Sequence, residues 1–275
     1  MTKLNYTLAE LEELLAQPDY RAYTRLNYSN VPEPLLDGVR KMDNVVSFGQ
    51  GIIDLFDNMV DRLGRLPSQK EYIDEGLPIS QEFWEENQHT HNKINGYPWT
   101  KGVKLGVMDR LARTYTSKLV ELHLEIMLKD LGYKVRTHAL LDSVMGVDIV
   151  VEDDLKRYYV HVTTSKHGIA GAERSVRKKE SRGNFLVKGE YKDYWVKYGR
   201  DFKGDCVLCY ESTTPLHNNS TKWINNNPVF NKEYIQEYFQ LRKISNRGEL
   251  LDSPECKLFD FKIWAKATLK TEINI

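Results

Sequence analysis

Cysteine is scarce in this chain, with three residues in 275. Three thiols cannot build a disulfide framework, and a chain this long buries a core without one. Long apolar runs are missing too. None approaches the roughly 18 residues of a membrane span, so no membrane contact is expected. The N-terminal stretch MTKLNYTLAELEELLAQ lacks the pattern of a signal peptide. It reads as an acidic amphipathic helix, and a cytoplasmic protein is expected. Net charge is also absent: 39 basic side chains balance 39 acidic ones. The overall balance therefore does not announce a nucleic-acid binder. There is no internal repeat, and no low-complexity tract beyond one asparagine cluster.

What is present is uneven. Residues 1–100 carry about 9 basic and 16 acidic side chains, whereas Lys156 to Lys203 carry about 13 basic and 5 acidic. A neutral total hides an acidic first third and a basic segment later. The length allows one large domain or two small ones.

Residues 1–110 read as a helical N-terminal domain. LAELEELLA and FGQGIIDLFDNMVDRLG place apolar residues at helical spacing. Ser68 and Glu71 match a capping box, and Gly76 is the expected stop of that helix. EFWEENQ reads as a separate short helix, and NGYPW as a turn. From about 111 to 275 the pattern changes. Thr116 or Ser117 is the expected cap of a long helix ended by Gly132. Strands follow in YKVRTHALL, GVDIVVED and KRYYVHVTT. GIAGAERSVRKKESRG is a basic helix candidate. YWVKYG and DCVLCYES read as strands, NNSTKWINNN as a polar loop, NKEYIQEYFQLRKIS as a helix, and KLFDFKIWAKATL as a strand. This order suggests a mixed α/β core around one sheet.

Two positions on these strands invite chemistry. Asp148 interrupts the apolar run Val147, Ile149, Val150, Val151, and a buried charge is costly without a partner such as a metal. A solvent-facing or turn-capping aspartate is the bland reading. On the next strand, alternation puts Tyr159, His161, Thr163 and Ser165 on one face and Val160 and Val162 on the other. The valines read as core, which aims His161 and Thr163 toward the site. A satisfied strand histidine is the alternative. Phosphodiester hydrolysis needs an activated water and a stabilised phosphate, which carboxylate-held Mg²⁺ supplies and a lysine assists.

These residues resemble the PD-(D/E)XK nuclease superfamily, which includes many restriction endonucleases. ELHLEIMLKDLGYKV resembles its first core helix, GVDIVV the strand with its acid, and RYYVHVTTSK the strand that ends in Glu-x-Lys or Gln-x-Lys. The resemblance covers about residues 114–212, and its third motif departs from the pattern. It implies a restriction-endonuclease-like core, α/β (α+β), with a mixed central sheet flanked by helices. It implies Asp148 and Glu121 as metal ligands, with Glu125 one turn on as a substitute. His161 stands in the second-acid place and Thr163 in the lysine place, with Lys166 as a migrated lysine. His123 is expected to be structural.

Further on, Arg174, Arg177, Lys178, Lys179 and Arg182 form a basic helix suited to DNA phosphates; a solvated face is the alternative. The asparagines around Trp223 are candidates for reading bases, with Trp223 stacking, against a plain flexible loop. Arg62, Arg65 and Lys70 lie in an acidic region, which favours a partner contact over a phosphate-binding face. Cys206 and Cys209 form a lone CxxC, with His217 and Cys256 further on. On a strand, residues three apart point to opposite faces, so zinc is not expected and buried thiols are. The expected function is Mg²⁺-dependent (or Mn²⁺-dependent) cleavage of double-stranded DNA by a homodimeric, sequence-specific type II restriction enzyme. The alternatives are a catalytically inactive DNA- or protein-binding module on the same fold and a structure-specific nuclease.

Overall fold

In the computed structural model of the chain, Thr7 and Ser68 start helices in the same way. Each hydroxyl accepts the N–H of the residue three further on, and that residue's glutamate accepts the N–H of the cap. Two orphan donors are satisfied at each helix start. The structure describes residues 4–45, 50–137, 147–164, 184–186, 195–197, 205–211, 219–245, 248–254 and 256. The helices are α1 (Leu8–Leu15), α2 (Glu33–Asp43), α3 (Gln50–Ile53), α4 (Leu55–Leu63), α5 (Gln69–Glu86), α6 (Lys101–Asp130) and α7 (Lys232–Ile244). The strands are β1 (Lys134–Arg136), β2 (Ile149–Glu152), β3 (Lys156–Thr164), β4 (Asn184–Leu186), β5 (Trp195–Lys197), β6 (Asp205–Tyr210), β7 (Thr221–Ile224), β8 (Asn227–Phe230) and β9 (Glu249–Leu250). The protein is thus mixed α/β.

Two compact units divide it: residues 1–122 with 223–228, and residues 123–222 with 229–275. The boundary expected near residue 110 falls inside α6. That helix does not begin at Thr116 or Ser117 as expected. Thr100 is the residue that caps it, its hydroxyl accepting the Val103 N–H at 3.2 Å. Val103, Val107 and Leu111 then repeat at helical spacing and are buried. Each such side chain contributes about 1.5–3 kcal/mol, so nothing interrupts the helix before Thr116. The Thr116 hydroxyl turns back to the Ala112 carbonyl at 2.9 Å, as threonines inside helices do. At the other end Gly132 stops α6 as expected. It has φ +87°, and Tyr133 N–H reaches the Leu128 carbonyl, which closes the last turn.

In the first unit α5 runs through Gly76 and Pro78, and EFWEENQ is its last part rather than a separate helix. Gly76 serves close packing. A Cβ there would lie 2.9 Å from Leu111 Cδ2 and 3.1 Å from Leu55 Cδ2. The core of this unit includes Phe56, Tyr72 and Tyr115, with ring centroids 5.7–6.3 Å apart. The Tyr115 hydroxyl donates to the Pro67 carbonyl at 2.7 Å. The asparagine cluster is not a loop. Asn225 and Asn226, both at positive φ, turn β7 into β8, the backbone that a two-residue hairpin turn requires.

In the second unit β1, β2 and β3 form an antiparallel meander, β6 runs parallel to β3, and β9 pairs with the start of β3. The sheet is therefore mixed. Helix α7 packs on it through Phe239, whose ring meets Tyr158 edge-on at 5.5 Å. The expected strand in YWVKYG is β5, which pairs with β4 in a separate two-stranded sheet. The basic helix candidate and the strand expected in KLFDFKIWAKATL lie outside the described residues.

Candidate functional site at the end of the central strand

Strand β3 lies between β2 and β6, and its far end holds two of the sequence-predicted residues. Ile149 pairs with Val160 and Val150 with Tyr159. Asp148 stands just before β2. Its N–H donates to the Val160 carbonyl at 3.0 Å, although Val160 is already the partner of Ile149. Two residues thus oppose one, the arrangement of a β-bulge, which re-aims side chains at strand ends. The re-aimed carboxylate accepts the Val162 N–H through Oδ2 at 2.6 Å. Asp148 therefore binds the residues on both sides of His161. One carboxylate oxygen does the work of a ladder carbonyl where the ladder stops.

His161 is 5% exposed. Burial does not separate the valine face, expected as core, from the face expected to aim His161 and Thr163 toward the site. Tyr159 and His161 are as well buried as Tyr158 and Val160, while Val162 is only half-buried. A central strand of a sheet covered on both sides has no open face. Thr163 is half-buried, pairs with Cys209 across the parallel ladder, and has its hydroxyl 3.5 Å from the Thr164 carbonyl.

Glu121 belongs to the first unit. Its carboxylate accepts from Ser117 Oγ at 3.3 Å and from Lys118 Nζ at 3.1 Å. Glu125 pairs with Lys129, one turn further along α6. His123 is fully buried. Lys166, Arg174, Arg177, Lys178, Lys179 and Arg182 lie outside the described residues. Cys206 and Cys209 are buried thiols outside any disulfide. They pair with Val160 and Thr163, so they sit on opposite faces of β6 and cannot converge on one ion.

The near end of β3 carries charges that sequence reasoning passed over. Glu152 and Arg157 are cross-strand partners, 5% and 2% exposed, and Arg157 Nε donates to Glu152 Oε1 at 2.8 Å. Arg136 Nη2 lies 3.8 Å from the same carboxylate. The Tyr159 hydroxyl donates to Glu249 Oε2 at 2.6 Å. Burial, then the Glu249 carboxylate, pushes the Tyr159 hydroxyl well above its ordinary pKa. The available signal was the spacing: Glu152 and Arg157 flank a turn in which Asp153 Oδ1 accepts the N–H groups of Leu155 and Lys156.

The asparagines of this turn hold the main chain. The side-chain amides of Asn225, Asn226 and Asn227 donate to the carbonyls of Gln17, Ala22 and Tyr20, at 2.6, 3.0 and 2.7 Å. The base-reading expectation did not foresee that one amide donor of each fixes the main chain. Trp223, on the same hairpin tip, is 56% exposed. Arg62, Arg65 and Lys70 pair with Glu75, Glu71 and Asp74. The Arg65 guanidinium holds the Glu71 carboxyl down at about 2.

Among the described residues no three His, Cys, Asp or Glu side chains come together as a metal-ion site. Mg²⁺ is often held through one or two carboxylates, with waters and substrate phosphates completing its shell. Asp148 meets the lower of those requirements. No helix among the described residues is long and apolar enough to cross a membrane. Comparison of the chain with protein-family models, with curated proteins and with solved structures finds no match.

Proposed function

We propose that the chain is a metal-dependent endonuclease acting on double-stranded DNA, with a restriction-endonuclease-like core and sequence-specific cleavage as its reaction. The observation that carries this reading is the bracketing of His161 by Asp148. Asp148 bonds the main chain of Val160 and Val162, on either side of the residue that the resemblance puts in the second-acid place, at the end of a mixed sheet. Asp148 would hold Mg²⁺, which when bound supplies charge stabilisation and an activated water. The bulge and the Val162 bond fix the direction of the carboxylate before substrate arrives. His161, held by the ladder on both sides, offers a buried imidazole that can accept a hydrogen bond or a proton. Glu121, Lys166 and the basic residues 174–182 complete the expected set, and a homodimer would match a two-fold symmetric site.

A second reading has its own support. The Asp148 carboxylate already serves the main chain and His161 is 5% exposed. A catalytically silent module that binds DNA or a protein would keep both features.

The test is cleavage of unmethylated phage DNA with Mg²⁺ or Mn²⁺, comparing the native chain with Asp148→Asn and Asp148→Ala. Asparagine keeps an oxygen for the Val162 N–H and loses the charge, so it separates chemistry from folding. Discrete fragments lost in both variants are expected. Cleavage that survives Asp148→Asn would remove this site from the reaction. A native chain that cuts nothing across salt and metal conditions would leave the silent module as the reading.

A further inference from the structure

The first unit contains a cleft of about 670 Å³, within the roughly 300–1,000 Å³ range of ligand sites. One wall is the chain from Pro18 to Thr24, and the other is Arg65 with the start of α5. Residues 21–27 have no regular secondary structure, yet the segment is held at many points. Ala22 N–H donates to the Asn225 carbonyl at 3.3 Å, and the three asparagine amides hold the carbonyls of Gln17, Tyr20 and Ala22. Gln69, 1% exposed, accepts the Tyr23 N–H, and Asp109 accepts the Leu26 N–H at 2.8 Å. The Tyr20 hydroxyl reaches the Leu66 carbonyl at 2.8 Å. An irregular segment fixed this firmly has lost its conformational freedom before any ligand arrives.

What the segment presents is specific. Ala22 is buried, and its neighbours Arg21 and Tyr23 are exposed and line the cleft. Thr24 and Arg25, which follow, are exposed as well. The Arg65 and Lys70 charges are matched by Glu71 and Asp74, whereas the Arg21 guanidinium has no ion pair among the described residues. Tyr23 is 49% exposed. Trp223, 56% exposed, rides on the hairpin tip that holds this wall. Cations interleaved with exposed aromatic rings are the means by which proteins hold single strands: phosphates meet the cations, and bases stack on the rings. The surrounding unit carries about 18 acidic and 14 basic side chains, so a broad polyanion laid across it is repelled. The cleft itself is lined by Arg21, Arg65 and Lys70 against Asp19 and Glu71, so a slender strand that enters it meets one more cation than anions.

We infer that this cleft binds a single-stranded or unpaired nucleic-acid segment, with a phosphate on Arg21 and a base on Tyr23. The inference does not rest on the nuclease reading, and its test contains no metal. Binding of a fluorescein-labelled dT 12-mer to the full chain is followed by anisotropy in EDTA over a salt series, beside a duplex of equal length and heparin as competitor. Tyr23→Ala is expected to weaken single-strand binding roughly tenfold, and Tyr23→Phe to preserve it, since stacking needs only the ring. Arg21→Gln is expected to flatten the salt dependence by about 0.7 in the log–log slope, one phosphate's share. Both side chains are exposed, and thermal melting checks that the variants fold. Photocrosslinking with a 5-iodouracil-bearing strand is expected on the tryptic peptide Ala22–Arg25. Single-strand affinity unchanged in Tyr23→Ala and Arg21→Gln would overturn the inference, as would no binding by the native chain. Equal loss toward duplex, or full displacement by heparin at low concentration, would show a general polyanion surface and overturn it also.

Discussion

The two ends of β3 treat buried charge in opposite ways. At the near end, Glu152 and Arg157 are nearly sealed from water and bond each other across the ladder. At the far end, Asp148 is half-buried, and its carboxylate accepts a main-chain N–H. The first arrangement joins two charged side chains of neighbouring strands. The second uses one carboxylate oxygen to end a ladder. A carboxylate in a strand is thus no sign of a site by itself; what satisfies it decides.

The sharpest way to break this contrast is Glu152→Ala. Removing one partner leaves the Arg157 guanidinium buried without its carboxylate, which typically costs about 3–5 kcal/mol. The urea midpoint is expected to fall accordingly. A loss below about 1 kcal/mol would mean that water reaches this end and that the contrast is false. Next in size is Asp148→Ala, which strands the Val162 N–H and is expected to cost about 1–3 kcal/mol. Asp148→Asn should cost clearly less in the same denaturation series. Equal losses would show that the charge, and not the ladder bond, is what the fold requires.

The smallest effect lies at Tyr159. Its hydroxyl bond to Glu249 contributes about 1 kcal/mol, which Tyr159→Phe removes. The pH dependence gives the finer reading. Tyr159 keeps its proton in the fold above its ordinary pKa of 10.0. The stabilisation is complete below that value and is lost as pH rises through the folded one. Melting temperature of the native chain should therefore drop on the alkaline side of pH 10, more steeply than that of Tyr159→Phe. Parallel curves would place the tyrosine in water.

Much of this was legible in the residues. The Ser68–Glu71 box, the Gly132 stop and the three consecutive strands rest on local rules, and each forms where its residues stand. Misreadings arose where one residue type serves two purposes. Gly76 reads alike whether it ends a helix or lets Leu111 come near, and only the packing partner decides. Thr116 can cap or bond backward, and the choice was made by the apolar repeat upstream. The asparagines looked like base readers because an amide does not reveal which carbonyl it will meet; those carbonyls lie some 200 residues away in sequence. The bulge at Asp148 has no sequence mark beyond the aspartate, since it depends on how β2 meets β3.

The route of the chain has a consequence for how the protein comes apart. It leaves the first unit at Leu122, returns at Trp223 for six residues, and leaves again after Pro228. No single cut isolates that unit. A fragment ending at residue 122 would lack the asparagines that hold Gln17, Tyr20 and Ala22, and its first thirty residues would fray ahead of its helical core. Loss of the β7–β8 turn in the full chain would be felt in the same place. The amides of the N-terminal segment and of the hairpin tip should therefore exchange with solvent as one cooperative group, although the sequence sets them about two hundred residues apart.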